Sequence, residues 1–249
     1  MSGHSKWANI KHRKGARDAK KSALFSKLSR GVEIAARGGA EPEKNIKLKL
    51  AIEKARAANM PGGSIEKAIR KGAGLDKEKS ELIEATYEGF GPGGAALVVE
   101  VLTDNRNRAG AEIRHIFSLF GGSLAAPGAV AWQFANRGKL IVQSEKNQKE
   151  KLALKAIDLG ASDVEEEGEE TIVYTDPKEV MAVKEGLLRE GFVIKEASIV
   201  LVAKNFSKVD DRAEAEKLLK LMGALDEHPD VQEVYSNFDI PDSLLEDLT

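Results

Sequence analysis

The sequence contains no cysteine, which at once excludes disulfides, zinc–thiolate sites, iron–sulfur clusters and a cysteine nucleophile. It has no run approaching 18 apolar residues, so nothing predicts a membrane span. The N-terminus is basic but lacks the apolar core of a secretory signal, which makes a cytoplasmic protein the expectation. Histidines are few. His4, His12, His115 and His228 are scattered, with no H-x-x-x-H pair and no carboxylate spacing that would complete a metal site. No G-x-S-x-G or S-x-x-K motif sits where a strand turns into a helix. His115, beside Arg114 in a helical stretch, reads as a structural histidine rather than a base. The expectation is therefore a non-enzyme, with no catalytic residues, no metal, no cofactor and no small-molecule substrate.

What the chain does have is charge, unevenly placed. Its formal net charge of −2 conceals a basic segment followed by an acidic one. Residues 1–79 hold 20 Lys and Arg against 8 Asp and Glu, a net of +12, which leaves −14 for the remainder. Asymmetry on that scale points to a polyanion-binding domain carried on an acidic body. The charge is densest in the first 21 residues, where Lys6, Lys11, Arg13, Lys14, Arg17, Lys20 and Lys21 face one acid, Asp18. Trp7, His4 and His12 lie among them. Lys and Arg displace counterions from a polyanion, and an indole face can stack on an unpaired base. The competing reading of such a charge block is a solvated tail.

Periodicity divides the chain. A first helix is predicted from about Asp18 to Arg37, with Leu24, Leu28, Val32 and Ala35 on one arc. Lys20, Lys27, Arg30 and Arg37 lie opposite. A second helix is predicted to start at Pro42, and a short third one at Ser64, stopping at Gly72. These form an expected basic helical domain over 1–79. Beyond Ser80 the pattern becomes strands. Ile83–Gly89 alternates, Ala95–Leu102 is a buried run, and the glycine-rich segment 89–94 between them reads as a hairpin connection. A phosphate cradle would need a helix to follow it. A helix over 106–120 and a strand over 130–134 are expected next. Residues 137–205 then follow the order β-α-β-β-α-β, and one more helix and strand complete the chain. The fold class expected is α+β: a three-helix domain followed by two ferredoxin-like α/β sandwiches. One sandwich, 137–205, is inserted in the other, formed by 80–136 plus 206–249.

Two further clusters attract attention. Asp104, Arg106, Arg108 and Arg114 gather near one helix start, where they serve either as a cap with surface pairs or as a second phosphate contact. The acidic run Asp163, Glu165, Glu166, Glu167, Glu169 and Glu170 lacks the ligand spacing of a calcium loop and reads as a solvated hairpin.

The blocks GHSKWANIKHRK at 3–14, YEGFGPGGAALVVEVLTDNRNRA at 87–109, GG at 121–122 and DVQEVYSN at 230–237 resemble the YebC family over nearly the whole chain. The resemblance implies a three-domain, cytoplasmic, non-enzymatic protein regarded as a DNA-binding transcriptional regulator. Some family members, including a mitochondrial relative that activates translation, are held to act on mRNA or the ribosome. Ribosome-bound members are thought to relieve stalling at consecutive prolines. The chain departs from the family pattern at Lys21-Ser22-Ala23, where Arg-Gly-Lys is usual, and at Ala109, Ala125 and Ala129. Ala23, Ala109 and Ala129 therefore offer no polar contact. The partner expected is nucleic acid, either DNA or ribosomal or messenger RNA. The residues expected to bind it are Lys6, Trp7, Lys11, His12, Arg13, Lys14, Arg17, Lys20, Lys21, Lys27, Arg106 and Arg108. Neither a helix-turn-helix nor an aromatic RNA-binding strand decides between the two targets.

Overall fold

The computed structural model describes residues 19–76, 81–145 and 147–248. Helix α1, Ala19–Ala36, buries Leu28, Val32 and Ala36, spaced four residues apart, and leaves Leu24 exposed at its start. Helix α2 runs Ile46–Ala57 rather than from Pro42. The Asn45 side chain caps it by accepting the Leu48 N–H, a satisfaction that Pro42 cannot supply. Helix α3, Gly62–Gly72, starts behind Pro61 without a side-chain cap, two residues before the expected Ser64. Leu48, Ile52, Ala55, Met60, Ile65 and Ala68 close one core with α1. Gly72 is required there: a Cβ would collide with the backbone carbonyl of Glu33.

Strands β1, Ile83–Phe90, and β2, Ala96–Thr103, pair antiparallel, with a short turn over Pro92–Gly94 between them. Gly93 and Gly94 both take positive φ in that turn, so the glycines serve the hairpin. Helix α4, Arg106–Leu119, follows, and then the two-residue strand β3, Ser123–Leu124, against β1. The strand expected over 130–134 is not formed. The N–H groups of Gly128, Val130 and Ala131 donate to the Glu88 carboxylate at 2.6, 2.8 and 2.8 Å, so this segment bends instead of pairing. Burial pulls the Glu88 carboxyl upward, but the three donors outweigh it and hold it below the usual range.

Strand β4, Phe134–Gln143, opens the second sandwich. Helix α5, Lys149–Asp158, strands β5, Asp163–Glu167, and β6, Glu170–Thr175, helix α6, Val180–Arg189, and strand β7, Val193–Ala203, follow it. Its sheet order, β5-β6-β4-β7, is all antiparallel and ferredoxin-like. The chain then returns through β8, Ser207–Lys208, helix α7, Arg212–Glu227, strands β9, Val231–Ser236, and β10, Phe238–Asp239, and helix α8, Asp242–Leu248. Strand β9 pairs with β2, completing the first sheet as β3-β1-β2-β9. The fold is thus α+β, a three-helix unit followed by two α/β sandwiches, one inserted in the other. Each sandwich has its own helix-covered core, the first around Leu97, Ile113, Phe117 and Leu221, the second around Leu140, Leu152, Val173 and Leu187. The two sheets meet along a seam of Ala96, Val98, Val130, Phe134, Val200, Ala203 and Tyr235.

We propose that 137–205 is autonomous, as its separate core suggests, and that 80–136 joined to 206–249 folds without it. Each piece should give one cooperative thermal transition by circular dichroism. Disorder in the excised middle, with 80–249 melting as a single indivisible unit, would refute the division.

Candidate nucleic-acid interface

The cations of the helical unit have two different fates. Lys27 and Arg30 of α1 and Arg37 just beyond its end share a stripe set by spacings of three and seven residues, and that stripe faces the sandwiches. The Lys27 ammonium donates to the Asp226 backbone carbonyl at 3.1 Å and lies 3.5 Å from its carboxylate. Arg37 donates to the carbonyl of Leu82. On α2, Lys54 pairs with Glu233 of β9 at 2.6 Å, and Glu53 receives Lys184 of α6 at 2.6 Å. The Glu233 carboxylate holds the Lys54 ammonium well above its usual range, outweighing the desolvation that pulls it down. Leu50 inserts into the core of the second sandwich, so α2 is wedged against both bodies. Part of the charge asymmetry in the sequence is therefore an internal contact, and Lys27, Arg30 and Arg37 of the predicted basic face dock onto the sandwiches.

The centre of that contact is Asp230, 1% exposed at the start of β9. The Arg30 guanidinium reaches one carboxylate oxygen at 2.7 Å. Arg108 from α4 and the Thr103 hydroxyl reach the other at 2.8 and 2.9 Å. Arg30 also donates to the carbonyls of Pro229 and Leu102 at 3.0 and 3.4 Å. Arg108 extends the network to Asp104 at 2.8 Å and Glu112 at 3.5 Å. Burial raises the Asp230 carboxyl, but the bonds from Arg30 and Thr103 and the charge of Arg108 outweigh this and hold it below its ordinary value. Glu112, His228 and Asp230 place potential ligand atoms within 4.8 Å of one another. Two guanidinium groups already supply Asp230 with the positive charge a metal would bring, and the group reads as an ion-pair network.

Among the predicted site residues, Lys6, Trp7, Lys11, His12, Arg13, Lys14 and Arg17 lie outside the described residues, as do the side chains of Lys20 and Lys21. Lys27 and Arg108 sit in the intramolecular pairs above, so a phosphate would compete with Asp226, Asp104 and Asp230 for them. Arg106 is exposed and its side chain makes no ion pair among the described residues, while its carbonyl accepts the Tyr87 hydroxyl at 3.0 Å. Asn105, rather than Asp104, caps α4. Lys47, Arg56 and Lys67 are likewise exposed without a direct ion pair among the described residues. The acidic hairpin is not simply solvated. Glu165 and Glu167 are half-buried and, with Glu196 and Glu233, raise the affinity of buried Lys139 for its proton, although burial dominates and lowers it. Asp226, Asp230 and Glu233 escaped sequence reasoning; two of them stand in the DVQEVYSN block, where only a family signature was visible.

These features define a class: a basic three-helix unit locked by buried and half-buried ion pairs onto two α/β sandwiches. The family model described as TACO1/YebC protein N-terminal domain matches residues 5–75, and that described as TACO1/YebC second and third domain matches residues 82–238. The chain belongs to the TACO1/YebC family. A "probable transcriptional regulatory protein" of Halothermothrix orenii is 49% identical across 100% of this chain and 99% of its own length. One of the same name from Fervidobacterium nodosum is 50% identical, covering 99% of this chain and 97% of its own. The crystal structure of a conserved hypothetical protein from Aquifex aeolicus superposes with a TM-score of 0.83 at 44% identity, covering 90% of this chain and 93% of that one.

Asp230→Asn leaves Arg30 and Arg108 facing a neutral amide, and should lower stability at neutral pH by about 3–5 kcal/mol in urea unfolding. Because the folded carboxyl titrates below its unfolded value of about 3.9, its contribution is complete above that pH and is lost as pH falls through the folded value. The acid limb of the stability profile should accordingly be flatter in the variant than in the parent. Equal stability of the two proteins at neutral pH would remove Asp230 from the centre of the interface.

Proposed function

We propose that this chain is a non-enzymatic nucleic-acid-binding regulator of gene expression, acting as a DNA-binding transcriptional regulator. One observation carries the reading: seven cations and Trp7 within the first 21 residues, ahead of a body whose Lys27 and Arg30 are engaged internally. The names of the Halothermothrix and Fervidobacterium relatives agree with it. A second reading, a ribosome- or RNA-associated translation factor relieving stalling at proline runs, is favoured by Trp7 and His12 amid the cations. An indole and an imidazole suit unpaired bases better than a major groove. Sedimentation with ribosomes or with nucleoid DNA at two salt concentrations separates the two. The non-enzymatic reading is supported by the histidines. His228 is engaged by Glu112 at 3.0 Å and by the Asp230 N–H at 3.2 Å, as part of the ion-pair network.

Replacing Lys6, Lys11, Arg13 and Lys14 with Glu should abolish binding, and replacing them with Gln should weaken it less. Each phosphate left unneutralised should flatten the slope of log affinity against log salt by about 0.7–0.9. Trp7→Ala should cost about 1–3 kcal/mol of affinity that persists at high salt. Normal binding by the four-Glu variant would reduce the opening segment to a solvated tail. Purified protein should also neither cleave nucleic acid nor hydrolyse nucleotides above background, and a turnover abolished by changing His115 would overturn the non-enzymatic reading.

A further inference from the structure

Aromatic residues are scarce in this chain, and among the described ones only Phe90, Trp132 and Phe206 are exposed, at 38%, 62% and 47%. They come from three separated stretches of sequence: the end of β1, the turn before β4, and the bend after β7. One buried residue fixes the neighbour of each. Asn237, 3% exposed, accepts the Ala96 N–H at 2.8 Å and donates to the Gln133 side-chain carbonyl at 2.9 Å. Its backbone carbonyl accepts the Ser207 N–H at 2.8 Å. Ala96 is the cross-strand partner of Phe90, Gln133 follows Trp132, and Ser207 follows Phe206.

The support around Trp132 is equally complete. Glu88 clamps the N–H groups of Gly128, Val130 and Ala131 immediately before it. The indole N–H donates to the Ala129 carbonyl at 3.1 Å, which holds the ring in one orientation. The Lys204 N–H donates to the Gln133 carbonyl at 2.7 Å and its ammonium to the Trp132 carbonyl at 2.9 Å, tying the turn to the bend that carries Phe206. An exposed ring gains nothing from burial, so a chain that fixes the backbone beside three of them through one buried residue, and the indole itself through its N–H, maintains a surface for something planar. Lys204, whose ammonium reaches the Trp132 carbonyl, brings a cation to the same place. That chemistry favours π-stacking beside an anion over apolar docking.

We infer that Trp132 and Phe206, together with Phe90 and Lys204, form a stacking site for unstacked nucleobases of a single strand. The inference rests on the nucleic-acid-binding reading above, and adds a contact on the sandwiches to the one proposed for the opening segment. The probe is a short fluorescein-labelled oligouridylate, with the matching deoxy strand alongside, titrated at low and high salt. Trp132→Ala and Phe206→Ala should each weaken binding about 5- to 150-fold, the equivalent of one stacked base, and at both salt concentrations. Trp132→Phe, which keeps a ring in the same seat, should retain most of the affinity and controls for folding. In a Trp7→Phe background Trp132 is the sole indole, and its fluorescence should be quenched as the unlabelled strand is added. A parent chain that binds neither strand at either salt overturns the nucleic-acid reading and this site together. If the parent binds while both alanine variants bind equally well and the indole signal does not move, this site alone is overturned, leaving the three rings as a protein-docking patch.

Discussion

A carboxylate buried at the start of β9 cannot be left alone, and much of the arrangement of this protein follows from how Asp230 is satisfied. An unpaired charge in that setting is costly enough to unfold a marginal domain, whereas two guanidinium groups and a hydroxyl make it a fixed point. Arg30 comes from the helical unit, Arg108 from α4 and Thr103 from the end of β2, so one side chain aligns three elements. Its backbone contributes as well, since the Asp230 carbonyl accepts the Leu102 N–H at 2.8 Å and keeps β9 against β2.

The same logic divides the positive charge of the first third of the chain. Lys27, Arg30 and Lys54 meet Asp226, Asp230 and Glu233, which cluster around one end of α7 and along β9. Pairs that are wholly or partly buried are screened less by salt than exposed ones. The contact between the helical unit and the sandwiches can thus persist at ionic strengths that weaken a polyanion complex. The same pairs hold α1 and α2 against the sandwiches.

The insertion of one sandwich into the other is also a matter of faces. Each sheet covers one face with helices and leaves the other to its neighbour, and Val98, Phe134, Val200 and Tyr235 fill the seam between them. Tyr235 and Glu100 lie 3.4 Å apart at its margin, and burial pushes both acids upward, Glu233 adding to it in each case. Asn237, just beyond the seam, turns the junction into a single hydrogen-bonded unit.

Much of the fold was legible in the sequence because it rests on local signals. Heptad-like spacing in α1, the alternation of β1, the continuous run of β2 and the β-α-β-β-α-β order of the insertion each report a period that only one backbone geometry satisfies. The strand expected at 130–134 failed because a distant carboxylate, Glu88, claimed the N–H groups the sheet would have needed, and no local pattern records that. The stripe of Lys27, Arg30 and Arg37 was legible as a stripe, but not what it faces. Periodicity fixes which residues share a face, but what the face meets depends on chain segments some 200 residues away. The sequence by itself determined the elements, their order and where the charges lie. Only the tertiary structure decided which cations are consumed by Asp226, Asp230 and Glu233 and which rings stay exposed around Asn237, because both are set by long-range pairing of buried polar groups.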